Sequence, residues 1–157
     1  MWGQARRAAC WLSDPADAGP IVAGEGIETV LSYAADLGAP CRPLALLSLD
    51  NLQGRAMRDA EGVVPLWNLR PDPDALPYTW PNAGEVHVLI DADMKSVRLR
   101  AQAERRGRRE LVEIDGVRRA EICATLATQA WRRAGAARVL PMRPPMGMDF
   151  NDLGRAA

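Results

Sequence analysis

The sequence is poor in several things at once. It has one histidine, His87, one lysine, Lys95, and no net charge, with 20 basic residues against 20 acidic ones in 157. That balance excludes a global basic field of the kind that draws a protein onto nucleic acid. Cysteine is scarce too: Cys10, Cys41 and Cys123 are far apart and odd in number. No pair has metal-ligand spacing, which argues against structural zinc. Isolated cysteines in a chain read as lacking a signal peptide suit small buried side chains in a reducing cytosol, so a cytoplasmic location is expected. No apolar run is long enough to span a bilayer, and no membrane partner is expected. The lone histidine sits inside a hydrophobic run and reads as a structural or sheet-edge residue, not a catalyst or metal ligand.

What is present suits one domain of ordinary core size, with 48% hydrophobic and 25% charged residues. Arginine supplies nearly all the positive charge. Arg98, Arg100, Arg105, Arg106, Arg108, Arg109, Arg118 and Arg119 crowd one stretch, which reads either as a solvated arm or as a phosphate-binding one.

The stretch Val86-His87-Val88-Leu89-Ile90-Asp91-Ala92-Asp93 organises the rest. A short, nearly unbroken apolar run suits a strand buried on both faces, as in a parallel sheet. It stops abruptly on two aspartates. In open α/β sheets the ligand site lies outside the carboxyl ends of the strands, and residues two apart share one side of an extended chain. Asp91 and Asp93 so placed repel each other unless a cation sits between them. Mg2+ or Mn2+ is the natural occupant, held by one or two carboxylates plus waters and phosphate oxygens. The other reading of the same residues is a solvated acidic loop after a core strand.

Before that strand, Trp2 to Leu12 has the spacing of an amphipathic helix, and residues 13–20 read as a loop. Ile21-Val22-Ala23 is a short strand, Gly24-Glu25-Gly26 a tight turn, and Ile27 to Leu37 a helix ended by Gly38. Its inward face is expected at Ile27, Val30, Leu31, Ala34 and Ala35. Glu25 then stands at the carboxyl end of a strand. Glu28 follows in the first helical turn, where it joins the site or only complements the helix dipole. Gly24 and Gly26 would let backbone approach a ligand. Leu44 to Leu49 reads as the second strand, Asp50-Asn51 as the cap of a short helix through Met57, and Val63 to Leu66 as a small extra strand. Arg70 to Pro81 holds four prolines and reads as a surface loop, with Trp67 and Trp80 as core plugs beside it.

Beyond Asp93, the arginine-rich stretch runs into Leu111 to Val117, a strand and turn. Together they read as a small hairpin inserted at about 97–119. Ala120 to Ala134 is a helix with Ile122, Leu126 and Ala130 inward and Gly135 past its end. Arg138 to Met142 is the last strand, followed by Asp149 and Asp152. Strands alternating with helices predict an α/β domain over 21–153, a Rossmann-like, mainly parallel sheet flanked by helices. Residues 1–20 are expected to be an N-terminal helix and linker, and 154–157 a tail. Right-handed crossovers put the strand ends on one side. Glu25, the Asp91/Asp93 pair and the Asp149/Asp152 pair should therefore gather at one edge.

These residues resemble the Toprim domain, the module shared by bacterial-type primases, topoisomerases and some nucleases. The family has a glutamate after its first strand, in a turn like Gly24-Glu25-Gly26. It has a D-x-D after a later hydrophobic strand, matching Asp91-Ala92-Asp93. Gly24-Glu25-Gly26-Ile27-Glu28-Thr29 and the closing Gly147-Met148-Asp149-Phe150-Asn151-Asp152 are similar to the Toprim domains of phage and plasmid primase-helicase proteins. The resemblance covers about Ile21 to Leu153. It implies a Toprim-like fold and a Mg2+-dependent phosphoryl- or nucleotidyl-transfer site, that of a primase making RNA primers in DNA replication. Asp91 and Asp93 would hold the metal, and Glu25 would be a metal ligand or general acid/base. Asp149 and Asp152 would be supporting acidic groups, with helix capping favoured for Asp152. Lys95 would supply charge beside the metal, or stand solvated at a strand end. Arg98, Arg100, Arg105, Arg106, Arg108 and Arg109 would meet the phosphates of single-stranded or primed DNA or RNA, with nucleoside triphosphates as the other substrate.

The sequence departs from the family pattern twice. The family often has a glycine soon after the D-x-D, whereas here Met94-Lys95-Ser96-Val97 follows. No zinc-binding module, P-loop or helicase region is legible, so the resemblance implies a helicase or zinc-binding primase module acting in cis or in trans. Three other readings share parts of the pattern. A Toprim nuclease uses the same carboxylates but transfers the phosphoryl group to water. A non-catalytic nucleic-acid-binding module would keep the fold with a vestigial site. An aspartate-nucleophile phosphatase also ends a hydrophobic strand in D-x-D, with Asp91 as nucleophile and Asp93 as acid/base, but that motif opens its domain.

Overall fold

A computed structural model describes residues 8–144 and 149–153. In chain order its elements are β1 (Cys10–Trp11), β2 (Ile21–Gly24), α1 (Ile27–Leu37), β3 (Arg42–Ala45), α2 (Leu49–Gln53), β4 (Val64–Pro65), β5 (Glu85–Leu89), β6 (Val97–Gln102), β7 (Arg109–Ile114), α3 (Gly116–Arg133), β8 (Arg138–Met142) and α4 (Phe150–Leu153). The fold is mixed α/β. Its central sheet has the order β1-β3-β2-β5-β8, parallel throughout except for β1, which runs antiparallel on β3. A second sheet, β4-β6-β7, carries the hairpin expected from the arginine-rich stretch. Among the described residues no helix is long and apolar enough to cross a membrane.

The central strands are buried on both faces, and their side chains alternate between two cores. Ile21, Ala23, Val86, Val88 and Ile90 pack with α3 through Ala120, Cys123, Ala127 and Trp131. Val22 and Leu89 face the other way, onto Val30 and Tyr33 of α1 and Phe150 of α4. Each such aliphatic side chain contributes about 1.5–3 kcal/mol on full burial, which is why a run of five core residues makes a strand here. His87 points into the α1 face. It is structural, as expected, but it lies in a central strand and not at a sheet edge. Its Nε2 meets the Glu85 carboxylate at 2.9 Å and its Nδ1 the Tyr33 hydroxyl at 3.0 Å. With Glu85 as acceptor, Nε2–H donates to it and Nδ1 accepts from Tyr33.

Several boundaries move. The amphipathic spacing expected to make a helix through Leu12 ends in strand β1. There Cys10 and Trp11 take up the free edge of β3 opposite Ala45 and Leu44; residues 1–7 lie outside the described residues, as does the 154–157 tail. An unpaired sheet edge demands hydrogen bonds that a helix would not supply. The second strand starts earlier and stops at Ala45, because Ser48, not Asp50-Asn51, caps α2, its side chain accepting from the Asn51 backbone N–H. That helix ends at Gln53 because Gly54 turns left-handed, at φ 70°, against Ala75 and Pro77. Helix α3 begins at Gly116, since Asp115 caps it instead of opening a turn. Trp67 and Trp80 are not core plugs: they are 44% and 36% exposed. Trp80 stands edge-on to Trp11 with centroids 5.3 Å apart, and the plug is Trp131, fully buried.

The indole Nε1 of Trp131 has no hydrogen-bond partner among the described residues, so its stabilisation comes from packing. Trp131→Ala should cost about 3–5 kcal/mol in denaturant unfolding. Trp131→Phe keeps a ring and removes the unpaired N–H, and should cost far less. Equal losses in the two variants would show that the indole itself is required.

Candidate active site

Taken in chain order, the parallel strands β2, β3, β5 and β8 lie in the spatial order 2-1-3-4. The chain leaves β2 for one side and β5 for the other, with α1 and α3 on opposite faces. Between β2 and β5 the strand order therefore reverses, and the crevice outside their carboxyl ends is the ligand position of such sheets. Glu25 immediately follows β2, and Asp91 lies just beyond β5. Both line a cleft of about 590 Å3 together with Ile27, Glu28, Thr29, Leu47 and Asn151.

Charge is concentrated there at a cost. Burial pushes the Asp91 carboxyl above its ordinary value, and the Asp93 and Asp149 carboxylates push it further. Glu25 is also raised, by burial first and by Asp91 second; a hydrogen bond from the Leu49 backbone and the Arg119 guanidinium oppose the rise. Each acid thus disfavours ionisation of its neighbour in a poorly hydrated place. Asp149 is carried there by α4. Phe150 packs edge-on to Tyr33 at 5.7 Å, and Ser32 donates to the Asn151 side-chain oxygen at 3.3 Å. Asp149 and Asp152 cap the start of that helix reciprocally: each carboxylate accepts the other's backbone N–H, at 2.8 and 3.1 Å. Asp152 is in the capping role favoured for it. Gly147 and Met148 of the same motif lie outside the described residues.

The loop after Asp91 is pinned by α3. A side chain at Gly116 would collide with the Met94 carbonyl oxygen, and Arg119 donates to the Lys95 carbonyl at 2.8 Å. Gly116, at the start of α3 after the hairpin, is thus the glycine that the backbone of this loop requires. Cys123, one turn beyond Arg119, is buried beside the same acids. Burial, then the charges of Glu25 and Asp91, push its thiol up to about 12, so it is no nucleophile near neutrality.

The structure brings Glu25, Glu28 and Asp91 to one cleft and sets Asp93 and Asp149 against Asp91. Lys95 is exposed in the loop. The hairpin arginines go elsewhere. Arg98 and Arg100 lie on its outer face, Arg98 at 3.8 Å from Glu113. Arg109 is engaged by Glu61 at 2.8 Å and Asp59 at 3.4 Å. Arg105, Arg106 and Arg108 sit on the connection between β6 and β7, exposed and without an ion pair among the described residues. Gly24 is required by packing: a Cβ there would come within 2.8 Å of the Val30 side chain. Sequence reasoning missed Thr29, Asn151, Leu47 and the inward role of Arg119. Helical spacing could have found Arg119, four residues before buried Cys123. Leu47 has no such signal. It holds a left-handed φ of 63° at the cleft rim, with its N–H on the Glu25 carbonyl at 2.9 Å, a conformation that costs of order 1–2 kcal/mol outside glycine.

No three His, Cys, Asp or Glu side chains among the described residues form a ready-made metal cage. The donors that converge are all carboxylate oxygens, mutually repelling, with open cleft beside them. Such a set fits a hard cation that keeps most of its waters, and Mg2+ or Mn2+ meets that description. Comparison with known proteins finds no match: no family model fits the chain, and no curated protein or solved structure is similar to it.

The raised values have a consequence for stability. Glu25 and Asp91 bind protons more tightly folded than unfolded, so the stability they contribute is complete below their ordinary values near 4.5 and 3.8. It is lost as pH rises through the raised folded values. In chelator, Asp91→Asn should therefore melt above wild type at pH 7, and the gap should close toward pH 4. Mg2+ should raise the wild-type melting temperature and leave the variant's nearly unchanged. A variant that melts below wild type at neutral pH would mean that the acids are not in conflict.

Proposed function

We propose that the chain is a Toprim-type catalytic domain of a DNA primase. It would carry out metal-dependent nucleotidyl transfer on single-stranded or primed nucleic acid, with a helicase or zinc-binding module in cis or in trans. The reading rests on the chain's own residues. The observation that supports it is the meeting of Glu25 and Asp91, from neighbouring strands, at the reversal of strand order. Asp91 and Asp93 would hold Mg2+ or Mn2+, with Asp149 and water completing the surroundings. When bound, the ion neutralises charge developing on the phosphate.

The protein groups divide the remaining work. Glu25, whose carboxyl burial raises above the ordinary glutamate value, would take the proton of the attacking hydroxyl as general base. A hydrogen bond from the Leu49 backbone and the charge of Arg119 favour the ionised form of that carboxylate. Ile27 and Leu47, both exposed, give the cleft an apolar rim. The hydroxyl oxygen attacks the α-phosphorus and pyrophosphate leaves.

Asp91→Asn and Asp93→Asn should each abolish primer synthesis on a single-stranded template without unfolding the protein. Glu25→Gln should lower turnover by roughly a hundredfold or more with template affinity little changed. Measured activity in either aspartate variant would refute the assignment. Cleavage of the template without nucleotide incorporation would make the chain a Toprim nuclease instead.

A separate expectation concerns the hairpin. Arg105, Arg106 and Arg108, on the connection at the hairpin's tip, are exposed and form no ion pair among the described residues, which leaves them available to a phosphate backbone. Replacing all three by alanine should flatten the salt dependence of single-strand binding by roughly 0.7 in log–log slope per lost contact. Arg109→Ala, which breaks the link to Glu61 and Asp59, should leave the slope unchanged. Equal slopes for wild type and the triple variant would take the hairpin off the nucleic-acid path.

A further inference from the structure

A second hollow lies under the hairpin, separate from the acidic cleft. It has a volume of about 290 Å3. Leu66, Leu99, Ile114, Ile122 and Leu126 are among the side chains that make it apolar. Around them stand Arg55, Arg58 and Arg119, with Asp50 as the single acid. Arg55 and Arg58 form no ion pair among the described residues. Gln53 also lines the hollow, and its side-chain oxygen is buried with no hydrogen-bond partner among the described residues. A buried amide oxygen left unpaired costs about 1–3 kcal/mol.

These features call for a ligand with three properties: a flat or compact apolar body, an N–H donor for Gln53, and negative charge for the guanidiniums. We propose that the hollow is a nucleotide pocket. The base would lie between the inner face of the hairpin and α3, with an amino group on the Gln53 oxygen and phosphates on Arg55, Arg58 and Arg119. The volume is at the lower end for ligand sites. It suits a base and part of its sugar, which leaves the phosphates outside on the arginines. Arg119 gives the pocket its direction, because the same guanidinium acts on Glu25 and donates to the Lys95 carbonyl. Phosphates on Arg119 would point to the acidic cleft. The pocket supplies the nucleoside triphosphate site of the primase reading and rests on it for its purpose, but nucleotide binding can be measured without catalysis.

Calorimetric titration with ATP, at low salt and in chelator, tests the pocket. Wild type should bind saturably. Gln53→Leu should weaken binding at least tenfold, and Arg58→Gln should weaken it severalfold. The triphosphate of purine riboside, which lacks the amino group, should bind wild type as weakly as ATP binds Gln53→Leu. If Gln53→Leu does not fold, Arg58→Gln and the analogue on wild type still decide. No saturable ATP binding, or affinities indifferent to Arg58→Gln and to the missing amino group, would overturn the proposal. Nucleotide binding of the expected pattern without any metal-dependent transfer would keep the pocket and discard the primase reading. Metal-dependent transfer with an unchanged KM for ATP in Arg58→Gln and Gln53→Leu would do the reverse.

Discussion

A parallel sheet leaves its strand ends bare only where two neighbouring strands are continued in opposite directions, and the rest of this site depends on that constraint. Here the pair is β2 and β5. Both are buried on both faces, so their ends cannot shift without disturbing two cores. The acids that follow them are held together by the sheet, against their mutual repulsion. Helix α4 adds a third carboxylate because Phe150 seats on Tyr33, which is bonded to His87 in β5. The single histidine thus serves the site at a distance, as part of the frame.

The strand–turn–helix from Ile21 to Leu37 and the strand ending at Asp91 were legible in the sequence. An apolar run closed by glycines or aspartates has few alternatives in a folded chain. The shared edge for Glu25, Asp91 and Asp149 was legible as well, because handed crossovers fix which ends of the strands coincide. What was not legible depends on partners distant in sequence. Ile27 and Leu31 match the inward spacing of α1, yet they are 43% and 47% exposed. Helix α1 turns Val30 and Tyr33 onto the sheet, with Leu37 partly buried beside them, and Ile27 is left at the cleft rim. Cys10 and Trp11 pair because β3 has a free edge, which no local pattern announces. The arginine-rich stretch looked like one feature. It separates into engaged residues such as Arg109, unpaired ones such as Arg106, and an inward one, Arg119, according to which acids the fold brings near.

The hairpin divides the molecule's chemistry. Its inner face, Val97, Leu99 and Ile114, closes a hollow, while its outer face carries Arg98 and Arg100. Arg119, just beyond it, lines the hollow, and its charge reaches Glu25 in the acidic cleft. Whatever fills one therefore meets the charge environment of the other.

The register of β6 on β7 pairs Val97 with Ile114, so the hairpin leaves and re-enters the fold at points about 5 Å apart. To the remainder of the chain, the segment occupies little more than one inter-strand step. Its outer end, from Ala103 to Arg108, is free of the main core and can lengthen, shorten or accept a graft without moving Asp91 or α3. The paired strands have no such freedom, because Ile114 is buried at the base and Ala101, close to the tip, is buried where β6 pairs with Val64 of β4. The domain thus has a built-in attachment point, anchored at its base and exchangeable at its tip.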